Sequence, residues 1–211
     1  MLEHLPHWLG SALSGLRAGA DKLTIARLVP SDAATLSLSS TAFADGGRIP
    51  DRFTADGEGV SPPLSWGPPP AGTETLLLIV EDPDAPAARP LVHAIVAGLP
   101  PEAGGIAEGG IAPDGDGDAG GDTGRNSFRR EGWLPPDPPN GHGAHHYVFQ
   151  LLALGAGAPL EPTPDRGDVV DALRERPILA AGLLTGIYSR GEPADIGPLG
   201  AADDVPGGAL A

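Results

Sequence analysis

Glycine and proline interrupt this chain from one end to the other. Together 32 glycines and 25 prolines make up about a quarter of its 211 residues. Glycine reaches backbone conformations closed to other residues, proline fixes φ and removes a donor, and both are poor in a helix interior. Such a chain favours short strands and many turns over a helical bundle. A hydrophobic content of 40% still furnishes a core, and the length suits one domain with extensions. Acidic residues outnumber basic ones 28 to 13, for a net charge of −15. A field of that sign repels phosphate backbones and anionic bilayers, so no nucleic-acid partner is expected. With no cysteine there is no disulfide framework, thiol nucleophile or cysteine-based zinc site, which fits a reducing compartment.

Glu3 stands where a signal peptide needs positive charge, and Arg17 breaks the apolar stretch before Ala18, Gly19 and Ala20. No apolar run of roughly 18 residues occurs, so no transmembrane helix is expected and the cytoplasm is the expected location. Residues 1–29 read as one amphipathic helix, with Leu2, Leu9, Leu16 and Leu23 seven residues apart. Its seam would pack on the domain or on a second copy, giving a homodimer. The expected organisation is a helical extension over residues 1–34, a domain over 35–190 and a flexible tail over 191–211.

Within the domain, residues 35–43 alternate as a half-buried strand, and 49–65 form a proline-rich extended loop. Residues 75–81, 91–99 and 145–154 read as buried strands, and 168–176 as a short helix ended by Pro177. Residues 178–188 return to the core as helix, strand or both. The aspartates of residues 114–122 imitate the opening of a calcium loop. Ala119 and Arg125 then stand where a glycine and a bidentate glutamate are required, so a solvated acidic loop is the better reading.

Two segments carry chemistry. Glu81-Asp82-Pro83-Asp84-Ala85-Pro86 leaves a buried strand, stiffened by its prolines, with His93 on the next strand. In Pro138-Pro139-Asn140-Gly141-His142-Gly143-Ala144-His145-His146-Tyr147, a strand from residue 144 points His145, Tyr147 and Phe149 to one face and His146 to the other. His145 and His146 therefore cannot share one metal ion, whereas His145 and Tyr147 can donate into one pocket.

These segments, with Phe43-Ala44-Asp45-Gly46-Gly47-Arg48-Ile49-Pro50, Ser61-Pro62-Pro63-Leu64-Ser65-Trp66 and Gly124-Arg125-Asn126-Ser127-Phe128, resemble the phosphatidylethanolamine-binding protein family over about residues 38–190. The match is most like its bacterial, Raf-kinase-inhibitor-like branch. The resemblance implies an antiparallel β-sandwich with a few peripheral helices and a small cavity for phosphate or a phospholipid headgroup. It assigns that cavity to Asp82, His93, His145 and Tyr147, with Pro83, Asp84, Asp137 and Gly141 around them and Tyr188 near the mouth. His146 stands where the family has arginine. Asp137 stands where a small or neutral residue is usual, and its charge would repel an anion.

The leading reading is a ligand-binding or regulatory module with no cofactor; modulation of another protein such as a kinase is a role the resemblance implies, and the residues name no partner. A hydrolase using the Asp/His pocket is the alternative, although no serine sits in a nucleophile-elbow pattern. A zinc site on His93, His142 and His145 is a further, weaker alternative.

Overall fold

The computed structural model describes residues 15–112 and 117–190. Ten strands build two sheets. In chain order they are β1 (Ala34–Thr35), β2 (Leu38–Ser39), β3 (Gly47–Arg48), β4 (Leu64–Trp66), β5 (Thr75–Asp82), β6 (Leu91–Leu99), β7 (Gly104–Ile106), β8 (Asp122–Thr123), β9 (His145–Leu154) and β10 (Ile178–Tyr188). The main sheet runs β1-β10-β9-β5-β6-β8, with β3 also pairing to β10, and the small sheet runs β2-β4-β7. The central strands β10, β9, β5 and β6 are antiparallel, while β1 and β3 join β10 in parallel.

The long strands read as apolar on both faces because both faces are covered. Leu76, Leu78, Val80, Phe149 and Leu151 pack against Leu38, Leu64, Trp66 and Ile106 from the small sheet. Leu77, Ile79, Ile95, Leu152 and Leu154 pack on the other side against Val169 and Leu173. Val169 and Leu173 are the i, i+4 buried pair of helix α2 (Arg166–Glu175). That helix starts two residues earlier than the apolar spacing suggests, because Asp165 caps it: its carboxylate accepts from Gly167 N at 2.6 Å and Asp168 N at 3.2 Å, and Asp168 returns the contact at 2.9 Å. Residues 178–188, ambiguous in sequence, are wholly strand.

Two expectations need correction. The strand over residues 35–43 is instead two short ones, since the chain changes sheets between them: β1 pairs with β10 and β2 with β4. Its alternation survives the crossing, with Leu36 and Leu38 both buried. The single helix over residues 1–29 does not extend through its described half. Residues 16–19 have no regular structure, Ala20–Lys22 is a 3₁₀ turn, and helix α1 spans only Thr24–Leu28. Gly19 at φ 103° lies where a helix cannot continue, and the N–H groups of Ala18 and Gly19 donate to Ala85 and Pro83 instead of to their own turn. Leu16 is exposed and Leu23 buried, so the seven-residue seam is not continuous. Leu2 and Leu9, the tail 191–211 and residues 114–116 of the acidic loop lie outside the described residues.

Candidate functional site

Four strand ends meet at one edge of the main sheet. β5 leaves at Asp82, β6 enters at Leu91, β9 enters at His145 and β10 leaves at Tyr188. Antiparallel neighbours put one strand's exit beside the next one's entry, which brings distant residues together. His145 Nδ1 lies 2.7 Å from Asp82 Oδ2 although 63 residues separate them. A carboxylate only accepts, so His145 Nδ1 donates. His145 Nε2 and His142 Nδ1 share a hydrogen bond at 2.7 Å. Asp82 Oδ1 accepts from Asp84 N at 2.8 Å, so both carboxylate oxygens are engaged.

His93 arrives by a local irregularity. Val80 pairs with Ala94 but the next pair is Glu81 with Val92, leaving His93 as an extra residue on β6. Such a bulge re-aims a side chain. Regular alternation would send His93 away from Ala94, yet its ring stands edge-on to Tyr147 at 4.9 Å and lies 6.3 Å from Trp133, both on the sandwich side. His93 Nδ1 is 2.6 Å from the Leu134 carbonyl and so carries the proton. Its Nε2 is buried and has no hydrogen-bond partner among the described residues.

These side chains border a cavity of about 250 Å³. Asp82, His93, Asp137, His145 and Tyr147 supply its polar lining, and Ala85, Pro86, Ala87, Leu91, Phe128, Leu134, Pro135, Pro138 and Pro139 the rest. Among the described residues no serine, threonine or cysteine belongs to that lining. Burial pushes His93 below its ordinary pKa against the pull of Asp82, so its ring is neutral near pH 7. Burial likewise raises the Tyr147 phenol well above its usual value and keeps it a neutral donor.

The other residues singled out in the sequence stand around the cavity and do not line it. Asp84 turns outward. Burial works to raise its pKa, but hydrogen bonds from the His146 ring and backbone, and from Arg17, hold it far below the carboxylate range. His146, pointing away from His145, thus fixes the loop after β5: its N and Nδ1 lie 2.8 and 2.6 Å from Asp84 Oδ2. The Asp84 hydrogen bond raises the His146 pKa in return. Pro83 presents its carbonyl to Gly19 N at 2.9 Å. Gly141, at φ 78°, belongs to the turn closed by His142 N and Pro139 O. Tyr188 stands behind the rim, where its hydroxyl donates to Asp56 Oδ2 at 2.6 Å and Arg48 lies 4.6 Å over its ring. Burial, then that bond to Asp56, pushes the Tyr188 pKa up to about 12.

Asp137 does not meet the cavity as a bare charge. Arg190 Nη1 lies 2.5 Å from Asp137 Oδ1 and 3.0 Å from the Pro138 carbonyl, and its other nitrogens grip Asp56 at 2.7–2.9 Å. Arg190 and His142 are the site-shaping residues that sequence reasoning left out of the pocket. Arg190 had no signal, being the last residue before a polar, glycine-rich stretch. His142 had one, since it precedes His145 by three residues across a Gly-rich turn. Among the described residues no group of three or more His, Asp or Glu side chains is arranged to hold a metal ion.

A family model described as phosphatidylethanolamine-binding protein matches residues 39–189. The chain belongs to this family. A relative in Methanothermobacter thermautotrophicus, named a UPF0098 protein, is 39% identical over 160 residues, spanning 74% of this chain and all of the relative. A Mycobacterium tuberculosis protein named as the lipoprotein LppC is 42% identical over 140 residues, 66% of each chain. Among solved structures, the phosphatidylethanolamine-binding protein homologue of Chlamydia trachomatis aligns at TM-score 0.66 and 31% identity, covering 75% of this chain and 99% of its own. Escherichia coli YbcL, described as a new member of the mammalian PEBP family, aligns at 0.66 and 27%, covering 74% and 99%. The family match begins after Arg17 and ends just before Arg190, so both arginines that engage carboxylates around the cavity flank the matched segment.

Proposed function

We propose that the cavity binds a small ligand through a phosphoryl group, free or as a phospholipid headgroup, and that the protein acts as a ligand-binding, regulatory module. The observation that carries this reading is His93 Nε2, a buried acceptor with no partner at a cavity wall. Leaving such an atom unsatisfied costs about 1–3 kcal/mol, which a ligand donor recovers. A phosphate monoester titrates near pH ~6 and offers both a P–O–H donor and bare oxygens. The first suits neutral His93, and the second suit the Tyr147 hydroxyl. Apolar walls beyond this polar floor suit the organic part of an ester. Arg190 offsets Asp137, the charge that would otherwise oppose an anion. Among the described residues no serine, threonine or cysteine stands beside the Asp82–His145 pair in the lining, and the Tyr147 phenol there is held neutral by burial, which favours binding over nucleophilic hydrolysis.

Modulation of another protein such as a kinase is supported by the family resemblance alone. A cytoplasmic location belongs to the same proposal. No described helix is long and apolar enough to cross a membrane, while one relative is named a lipoprotein, so cell fractionation decides it.

Phosphate and sulfate have similar size, but sulfate has no proton to donate near neutrality. Calorimetry at pH 7.5 is expected to give phosphate about tenfold or more over sulfate, the equivalent of one hydrogen bond to a buried acceptor. The gap narrows toward pH 6 as His93 takes up a proton on binding. Equal affinities at pH 7.5, or no binding of either phosphate or phosphoethanolamine, contradict the reading.

A further inference from the structure

Residues 17–22 run along the outside of the loop that follows β5. Ala18 N donates to Ala85 O at 3.0 Å, Gly19 N to Pro83 O at 2.9 Å, and Lys22 Nζ to Ala88 O at 3.3 Å. Three carbonyls of one cavity-wall loop are thus taken by a segment that precedes the family-matched residues. Ala85 lines the cavity on the other side of that wall. Ala18 is 1% exposed, so the contact is packed as well as hydrogen-bonded.

Arg17 ties this loop to a second one. Its Nη1 pairs with Asp84 Oδ1 and donates to Ala144 O at 3.1 Å. Asp84 lies two residues past Asp82, and Ala144 immediately precedes His145. One guanidinium therefore spans the backbone segments that carry the two partners of the 2.7 Å Asp82–His145 contact. The far end of the segment is fixed independently. Thr24 N donates to Glu81 Oε2 and Ile25 N to Gln150 Oε1, each at 2.7 Å, while Arg166 Nη2 reaches Lys22 O at 2.9 Å. A segment anchored at both ends can hold what lies between them.

We infer that residues 17–19 are a working part of the binding site, with Arg17 a positioning residue that holds the Asp82 and His145 loops in register for the ligand. The inference rests on the proposed phosphoryl-binding role of the cavity. Arg17 acts in two ways. Its Nη1 engages both loops and fixes their geometry, and its charge offsets Asp84 at the back of the cavity wall. A hydrogen bond such as Asp82–His145 weakens steeply with small displacements, so loosening either loop changes how His145 and His142 present themselves. Gly19 contributes by conformation. Its φ of 103° aims its N–H at Pro83, and a Cβ there would meet Asp21 Oδ1 at 2.5 Å.

The test compares inorganic phosphate binding by the full-length chain and by Arg17→Gln, Arg17→Lys and Gly19→Ala, using calorimetry and the ring signals of His142 and His145 in NMR. Arg17→Gln is expected to weaken phosphate about tenfold, as loss of a supporting contact behind a binding group commonly does. Arg17→Lys keeps the charge and recovers part of the loss. Gly19→Ala weakens binding with no charge removed. The His142 and His145 ring signals move in Arg17→Gln before any ligand is added, which a remote stabilising role would not produce. If the unaltered chain binds no phosphate, the proposed function fails, and the ring signals still test the positioning role. If it binds, and Arg17→Gln and Gly19→Ala stay within twofold of it with unmoved ring signals, residues 17–19 do not position the site.

Discussion

Adjacent residues at the end of β5 enter two buried polar clusters on opposite faces of the main sheet, and each cluster holds one buried polar atom without a partner. On the helix side, Glu81 is fully buried and wholly satisfied. Oε1 accepts from Arg166 Nε at 2.6 Å, and Oε2 accepts from Thr24 N at 2.7 Å and Gln150 Nε2 at 2.9 Å. On the sandwich side, Asp82 is equally well bonded, but beside it His93 keeps a buried nitrogen without a partner. The Glu81 bonds fasten α1 and α2 to the sheet, and the atom left unpartnered beside them is the Thr24 hydroxyl. His93 Nε2 is an acceptor at the cavity that Asp82, His145 and Tyr147 line, and it has capacity left for a ligand donor.

The largest effect that would sharpen this contrast is on stability. Glu81→Ala leaves Arg166 without its buried carboxylate and two further donors unanswered, and is expected to cost about 3–5 kcal/mol in denaturant unfolding. Phosphate affinity of the protein that remains folded falls only slightly, since Glu81 reaches the site only through the Thr24 anchor of the Arg17 segment. A loss below ~1 kcal/mol would mean that the helix-side cluster does not fasten the fold. On the other face, Asp82→Asn is expected to cost about 1–3 kcal/mol by replacing a charge-assisted bond to His145. It also weakens phosphate, and by more than Glu81→Ala does. His93→Phe changes stability by less than ~1 kcal/mol, because an unsatisfied nitrogen disappears together with one hydrogen bond to Leu134. Phosphate no longer outcompetes sulfate in that variant.

The smallest effect is a pH slope. The folded His93 pKa is depressed, so the unfolded chain takes up the proton first as pH falls below ~6.5. This part of the stability is therefore present above that pH and lost on acidification, with a slope of at most about 1.4 kcal/mol per pH unit. His146 works in the opposite sense. Its folded pKa is raised, so its contribution is present below ~6.5 and lost as pH rises through the folded value, and solvent screens it because the ring is half-exposed. The difference between the unaltered chain and His93→Phe isolates the His93 slope. No difference on the acid side would show that His93 is not held neutral by burial.

Much of this was legible in the sequence. Apolar runs located β5, β6 and β9, and period-two parity separated His145 and Tyr147 from His146 correctly. The family resemblance carried the sandwich fold, which strand patterns alone do not specify. What was hidden depends on tertiary context. A bulge cannot be seen in a string, and without it His93 would be assigned the opposite face from Ala94. Asp137 looked like an obstacle to an anion because its partner, Arg190, arrives from 53 residues away. Arg17 looked like one more charge on a helix, whereas the described part of that segment meets the cavity wall through its backbone. Residues 35–43 read as one strand because a crossing between sheets keeps the alternation while changing the partner.

The central claim is that His93 Nε2 awaits a ligand proton, and nitrogen NMR of the histidine rings reports it directly. At pH 7.5 without ligand, His93 is expected as the tautomer protonated on Nδ1, with a bare Nε2. Saturating phosphate should move the Nε2 resonance toward its hydrogen-bonded or protonated position and leave His146 nearly unchanged. An Nε2 signal that does not move while phosphate is bound would contradict the account.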